Sequence, residues 1–355
     1  MEAGFAWMVT SPRAADFVVE AERCGVSSVW IPEMWGQDAF TQAAFVAAKT
    51  STIKIGTAIA QIGARTPATL AMSSMSMQAM SGERFLLGLG TSGPQVMEGW
   101  HGIRFRSPIV TTRETIEIVR MIARGDRLAY DGLVYQLPLP DGAGRPMRTM
   151  MVPVAVPIYI ASLGPRNLRL TGELADGWIG NAFMPEKAGV FLDELAAGAA
   201  EAGRSLADLD LLIPVSVEFT DDVDEAAKRH ARGYAFTIGA MGSKDQNFYN
   251  AAFERQGYGD DVRAVQELWL AGRREEAADR VPVEIGFKTN LIGTPEMVKE
   301  RLRLYRDSGI THLQMKPTSE NRGRIDDVAQ FAELVAEVSA EVSGGDGSGA
   351  AGTSP

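Results

Sequence analysis

Phe85-Leu-Leu-Gly-Leu-Gly-Thr-Ser-Gly93 and Ile158-Tyr-Ile-Ala-Ser-Leu-Gly-Pro165 are apolar strands that each run straight into a glycine turn, the second opening a helical run at Arg166. Glycine at a strand end lets the backbone come close to a ligand, and the free N–H groups of a helix start favour bound phosphate. The pair points to a phosphate-bearing cofactor spread across several strand ends.

Outward from these turns, strand and helix patterns alternate almost from end to end. Strands are expected at Ala3–Val9, Ser28–Ile31, Ile53–Ile62, Arg84–Gly90, Ile158–Ala161, Gly177–Ile179, Asp210–Val217 and Thr311–Lys316. Helices are expected at Pro12–Cys24, Ala39–Lys49, Pro67–Met80, Thr112–Ala123, Asn167–Leu174, Glu186–Ala202, Glu225–Ala235, Pro295–Ser308 and Asp326–Val342. Repeated βα units build a parallel sheet with helices outside. Counted as strand and helix pairs they reach the eight that close a (β/α)8 TIM barrel, an α/β fold, with a doubly wound open sheet as the structural rival.

Residues 1–342 are expected to form a single catalytic barrel domain, and 343–355, mostly Gly, Ser and Ala, a disordered tail. Three insertions, at about 90–111, 128–157 and 241–290, are expected at the C-terminal face of the strands, where barrels keep function. The second holds a hairpin around Tyr130-Asp-Gly-Leu-Val-Tyr135; the third carries Phe248, Tyr249, Phe253, Tyr258 and Trp269.

Composition narrows the chemistry. With 355 residues, 45% hydrophobic and 23% charged, the chain has apolar content for a large core. A net charge of −10 argues against a nucleic-acid partner, because phosphate backbones are bound by clustered Lys and Arg. No run reaches the ~18 apolar residues that cross a bilayer, and no basic segment followed by an apolar stretch opens the chain, so no membrane association and a cytoplasmic location are expected. Cys24, the only cysteine, excludes an intrachain disulfide and is expected as a buried small hydrophobe. His101, His230 and His312 lack metal-ligand spacing, so no catalytic metal is expected.

Gly88-Leu-Gly90-Thr-Ser-Gly93 formally satisfies G-x-G-x-x-G, yet Pro94 interrupts it and no acidic residue closes a following strand, so a Rossmann site lacks its context. In the second turn Ser162 offers a hydroxyl, Gly164 an N–H and Arg166 a charge, beside the ordinary reading of a loop with Pro165 at a first helical turn. After the second strand, Glu33-Met-Trp35 combines a carboxylate for orienting or proton transfer with an aromatic face for a flat ring, against capping and packing; Trp30 is expected in the core. Gln61 and Arg65 end the third strand, as a hydrogen-bond partner for a heterocycle and an anion partner or solvated charge. His101, in Glu98-Gly-Trp-His-Gly, is the acid–base candidate by type, with a structural role as the alternative. His230 is expected to be solvated, Met72, Met75, Met77 and Met80 to pack on the third helix, and Asp221, Asp222 and Asp224 to cap a helix.

Ser28-Val-Trp-Ile-Pro-Glu-Met-Trp35, Gly56-Thr-Ala-Ile-Ala-Gln-Ile-Gly-Ala-Arg-Thr-Pro67, Gly82-Glu-Arg-Phe-Leu-Leu-Gly-Leu-Gly90 with Ser92-Gly-Pro94, the 158–165 turn, Gly172-Glu-Leu-Ala-Asp-Gly-Trp178 and Leu291-Ile-Gly-Thr-Pro295 follow one another in an order and spacing that resembles the luciferase-like monooxygenase superfamily over roughly residues 1 to 340. The resemblance is to its branch of oxidoreductases dependent on the deazaflavin coenzyme F420. It implies hydride transfer between F420 and a small organic substrate, with an FMN-dependent monooxygenase and a non-catalytic flavin-binding or deazaflavin-binding protein as alternatives. It also implies a homodimer, and a coenzyme at the C-terminal mouth of the barrel. The ring would lie by Met34, Trp35 and Gln61 against a non-prolyl cis peptide at Ala58-Ile59. The phosphate would meet Thr91, Ser92 and Gly93 from one turn and Ser162, Leu163 and Gly164, with Pro165 and Arg166, from the other. Some relatives carry an Asp-His pair and a glutamate where this chain has Glu33-Met34 and about Gly93-Pro94, which leaves His101, Glu98, Glu33 or water for proton delivery.

Overall fold

A computed structural model describes residues 1–241, 247–318 and 323–341. Parallel strands β1 (Glu2–Ala6), β2 (Ser28–Ile31), β3 (Lys54–Thr57), β4 (Phe85–Gly90), β5 (Ile158–Ala161), β6 (Gly177–Ile179), β7 (Asp210–Phe219) and β8 (His312–Lys316) pair in chain order. β8 pairs back onto β1, with Glu2 opposite His312, so the sheet closes into a (β/α)8 barrel and the open doubly wound sheet is set aside.

Around it run α1 (Pro12–Arg23), α2 (Ala39–Ala47), α3 (Pro67–Ser81), α4 (Pro108–Ala123), α5 (Pro165–Leu174), α6 (Gly189–Glu201), α7 (Val223–Ala240), α8 (Pro295–Asp307) and α9 (Ile325–Ala340). Several start on side-chain caps, with Ser11, Asp38, Thr66, Asp222 and Thr294 each accepting an N–H of the first turn. Asp222 thereby meets the capping expectation.

Covered on both faces, β2 and β4 are buried at every position, as parallel strands require. One set of side chains meets the helices; the other fills the barrel, where Trp30, Leu86, Tyr159, Ile179 and Leu212 form their own cluster. Trp30 meets Tyr159 edge-on at 5.1 Å. Small neighbours make the room: a Cβ on Gly56 would lie 2.2 Å from the Trp30 ring, and one on Gly177 2.3 Å from Tyr159.

At the N-terminal end of the barrel, polar groups close on one another. His312 Nε2 lies 3.1 Å from Glu2, which also pairs with Lys54 at 3.5 Å, and the Tyr159 hydroxyl donates to Asp210. The hydrogen bond to His312 holds the Glu2 carboxyl at about 2 against the opposing effect of burial.

Several expectations change. The third strand does not run through Ile62: it breaks after Thr57, resumes at Ala60–Gln61 and turns into a 3-10 helix at Ile62–Ala64. The 90–111 insertion contains a short helix, Pro94–Gly99, and α4 begins at Pro108 rather than Thr112. A further short strand, Leu291–Gly293, pairs with the end of β7 that projects beyond the barrel. Cys24 is exposed because it follows the last turn of α1. Met75 and Met77 are buried, but Met72 and Met80 lie on the outer face of α3 at 62% and 66% exposure. The expected hairpin forms between Tyr130–Asp131 and Gln136–Leu137. The tail lies outside the described residues.

Candidate active site

The C-terminal mouth is built around β3, β4 and β5. The Ala58–Ile59 peptide is cis, at the break in the third strand. Directly beside it, β4 reaches the mouth through Gly88 and Gly90. A Cβ on Gly88 would lie 1.8 Å from the Thr57 carbonyl oxygen, and one on Gly90 2.8 Å from Ile59 Cγ1. These glycines are therefore required by the contact between β3 and β4, which is the physical reason for the first two positions of the G-x-G-x-x-G pattern.

Gly93 and Gly164 are different. Gly93 has φ −134° and Gly164 φ −77°, values open to other residues. A Cβ on Gly164 meets nothing within 4 Å, and one on Gly93 meets only the Gln95 side chain at 3.3 Å. Each stands before a proline that opens a helix, with no side chain capping the first turn. Ser92 turns the chain with φ 58°, in the left-handed region that non-glycine residues seldom occupy. Since β4 and β5 are paired neighbours, the two turns stand side by side.

Within the second turn the Ser162 hydroxyl does not face out as expected: it is buried on Thr171 Oγ1 at 2.8 Å, while its carbonyl accepts from Trp178 Nε1 at 2.9 Å. Ser162 thus ties the turn to α5 and β6. Arg166 is exposed, with no ion pair among the described residues. A residue that sequence reading passed over arrives here: Arg255, from the 241–290 insertion, donates through Nη2 to the Leu163 carbonyl at 2.5 Å. Its guanidinium lies over the Phe191 ring, and burial lowers its pKa. Arg255 Nε and Asn167 Oδ1 are buried without a partner. Nothing local marks Arg255, because the contact spans 92 positions.

Glu33, Arg65 and Gln61 form one frame under the β2 and β3 ends. Glu33 accepts from both Arg65 Nη atoms at 2.8 and 2.6 Å, from the Gln61 N–H at 3.0 Å and from the Ala39 N–H at 3.2 Å. A carboxylate has about four acceptor positions, so Glu33 is filled by the protein and holds the frame rather than moving protons. Arg65 also donates to Asp38 and covers the Phe40 ring, so it is not available to an anion as expected. Its hydrogen bonds to Glu33 raise its pKa above the ordinary arginine value, against burial.

Gln61 is 2% exposed; its Nε2 donates to the Met34 carbonyl at 3.0 Å and its Oε1 lies 3.2 Å from His101 Nε2. With Gln61 Oε1 fixed as an acceptor, the network assigns the imidazole proton to Nε2 and leaves Nδ1 as a free lone pair. Glu98 accepts the Phe105 N–H at 3.0 Å, tying its loop together instead of standing in the mouth. Met34 and Trp35 stand beyond β2 at 55% and 50% exposure. His230 is not solvated: it is largely covered, with Nε2 2.9 Å from Glu218, and its partial burial lowers its pKa. No cluster of His, Cys, Asp and Glu able to hold a metal occurs among the described residues.

The comparisons with known proteins agree with this architecture. The chain is 34% identical over 330 residues to a protein of Mycobacterium tuberculosis named as a coenzyme F420-dependent oxidoreductase, covering 90% of this chain and 94% of the relative. It is 30% identical over 303 residues to 5,10-methylenetetrahydromethanopterin reductase of Archaeoglobus fulgidus, covering 84% and 87%. Its fold superposes on the coenzyme F420-dependent tetrahydromethanopterin reductase of Methanopyrus kandleri with a TM-score of 0.76 at 21% identity, covering 95% and 99%. The family model for luciferase-like monooxygenases matches residues 5–312, from the first barrel strand to the last, and the chain belongs to that family.

Proposed function

We propose that this chain is an F420-dependent oxidoreductase that moves a hydride between the deazaflavin and a small organic substrate at the C-terminal mouth of the barrel. The observation that carries the reading is the pair of open glycines, Gly93 and Gly164, on adjacent strand ends, where nothing in the protein requires glycine. Beside them the buried, unpartnered Asn167 Oδ1 and Arg255 Nε await hydrogen-bond partners. A phosphate-bearing coenzyme fits the Arg255 Nε donor and the open backbone N–H groups of the two turns, and the M. tuberculosis relative is named for F420.

In this reading the backbone of Thr91, Ser92 and Gly93 and of Ser162, Leu163 and Gly164, with Pro165 and Arg166 at the start of α5, holds the phosphate. Arg255 adds a guanidinium from above. Ala58 and Ile59 back the ring, with Met34 and Trp35 as apolar surface at its edge. When bound, the coenzyme supplies the carbon that gives or takes the hydride. Gln61 orients His101, and the free Nδ1 of His101 holds or passes the substrate proton. No helix among the described residues is long and apolar enough to cross a membrane. A homodimer working in the cytoplasm completes the reading, and sedimentation of the purified chain tests its oligomeric part.

The test is a titration of coenzyme-free protein with F420 and, separately, FMN, followed by tryptophan quenching. Micromolar or tighter F420 binding with negligible FMN binding is expected. Preference for FMN would turn the assignment toward an oxygen-using monooxygenase, and binding of neither would leave a barrel without this chemistry.

A further inference from the structure

Across the mouth from the glycine turns, a cavity of about 270 Å³ opens where β7 and β8 end, walled in part by Ser216, Arg229, His230, Tyr234, Asn290 and Lys316. In the closed order of strands, β8 stands opposite β4. Ser216 and Lys316 are register partners, on the same side of the sheet as Leu212, which lies in the barrel interior. With the strand period of two, both side chains therefore point toward the barrel axis at its mouth.

The charges on this wall do not cancel. Glu218, behind the cavity, accepts from Arg229 and lies 2.9 Å from His230 Nε2. One carboxylate thus offsets one guanidinium, and burial favours the neutral imidazole. Lys316 is left: its ammonium lies 5.9 Å from the Tyr234 ring centre and pairs with no carboxylate among the described residues. Among the described residues, Lys316 therefore brings a positive charge without a carboxylate partner to the mouth of a chain whose net charge is −10.

Asn290 is spent on the frame, accepting the Ser216 N–H at 2.9 Å and donating to the Gly286 carbonyl at 2.8 Å and to Thr289 Oγ1 at 3.1 Å. The Ser216 and Tyr234 hydroxyls have no hydrogen-bond partner among the described residues. At about 270 Å³ the cavity lies just below the ~300–1,000 Å³ range of ligand pockets, which suits a small ligand.

We propose that this cavity anchors the substrate and that it selects a small organic acid, whose carboxylate sits on the Lys316 ammonium with the Ser216 and Tyr234 hydroxyls as further donors. The inference rests on the reading of the opposite rim as the coenzyme site. A monocarboxylate matches the positive charge of Lys316, which has no carboxylate partner among the described residues; on that one charge a dianionic phosphate leaves half its own unpaired.

The test is calorimetric titration of the full chain, with and without F420, by propionate, benzoate, benzamide and inorganic phosphate. At least one carboxylate is expected to bind, with benzamide and phosphate weaker by about tenfold or more. Lys316→Met should lose about tenfold in carboxylate affinity, Lys316→Arg should recover most of it, and F420 affinity should stay within about twofold. Ser216→Ala, a smaller change that should cost about threefold, serves if Lys316→Met does not fold. Carboxylate binding that survives both variants, equal binding of benzamide, tighter binding of phosphate, or no binding of either carboxylate overturns the subsite. If carboxylates bind through Lys316 while F420 does not bind, the proposed function fails and the subsite stands; if F420 binds and no carboxylate does, the subsite alone fails.

Discussion

The two ends of this barrel are made of opposite materials. At the N-terminal end, Glu2, Lys54, Tyr159, Asp210 and His312 converge and satisfy one another, with Glu2 paired to both Lys54 and His312. At the C-terminal end the same β4 wall that carries Leu86 inside continues as Gly88 and Gly90, packed against Thr57 and Ile59. Beyond them come Gly93 and Gly164, where the protein leaves space. Satisfied polar groups rigidify a closed end, whereas open backbone and unpartnered donors are useful only where a ligand completes them. Barrels divide stability and function between their ends in this sense.

The comparison breaks first at Gly88. Gly88→Ala places a Cβ 1.8 Å from the Thr57 carbonyl oxygen, so β3 and β4 must separate. A loss of about 3 kcal/mol is expected, seen as a large fall in Tm or as insoluble protein. Gly164→Val should do the reverse. The φ of −77° accepts valine, and the only expected structural cost is a weaker N-cap, below about 1 kcal/mol. F420 affinity should nevertheless fall by about tenfold, ~1.4 kcal/mol. Unchanged F420 affinity in folded Gly164→Val would remove that turn from the site.

Two smaller effects sharpen the contrast. Gln61→Leu frees His101 from its anchor, so turnover should fall by about tenfold while F420 affinity stays within about twofold. An equal fall in F420 affinity would make Gln61 a binding residue instead. At the other end, Glu2→Gln should leave F420 binding unchanged and alter only the acid limb of stability. Its carboxyl sits at about 2 in the folded chain against an ordinary 4.5, so its contribution is full above about pH 4.5 and is lost as pH falls from 4.5 through 2. The variant should therefore melt slightly lower at neutral pH and converge on the parent only below about pH 2, with the effect kept small by the 43% exposure of the Glu2 side chain.

The periodicity that announced eight strands was legible because buried parallel strands are short apolar runs punctuated by Gly, Pro and capping residues. Leu291–Gly293 was not legible as a strand, since three residues carry no period and their partner is an overhang of β7. In the site, the glycine turns were visible, but the roles within them were not. Glu33 reads as a candidate acid until Arg65 and two backbone N–H groups fill it, and His230 reads as a solvated residue until Glu218 is found behind it. Arg255 and Lys316 gave no local signal at all, because each gains its meaning from residues far away in the chain.

From the sequence alone came the barrel, the two glycine turns at the mouth proposed to carry function, and the family they resemble, since local periodicity and backbone-permissive residues are properties of neighbouring positions. Tertiary structure decided which glycines are packed and which are open, which carboxylates are already filled, and that Lys316 reaches the mouth with no carboxylate partner among the described residues. Those are sums over contacts between distant segments, and charge compensation and free space exist only after the chain has closed.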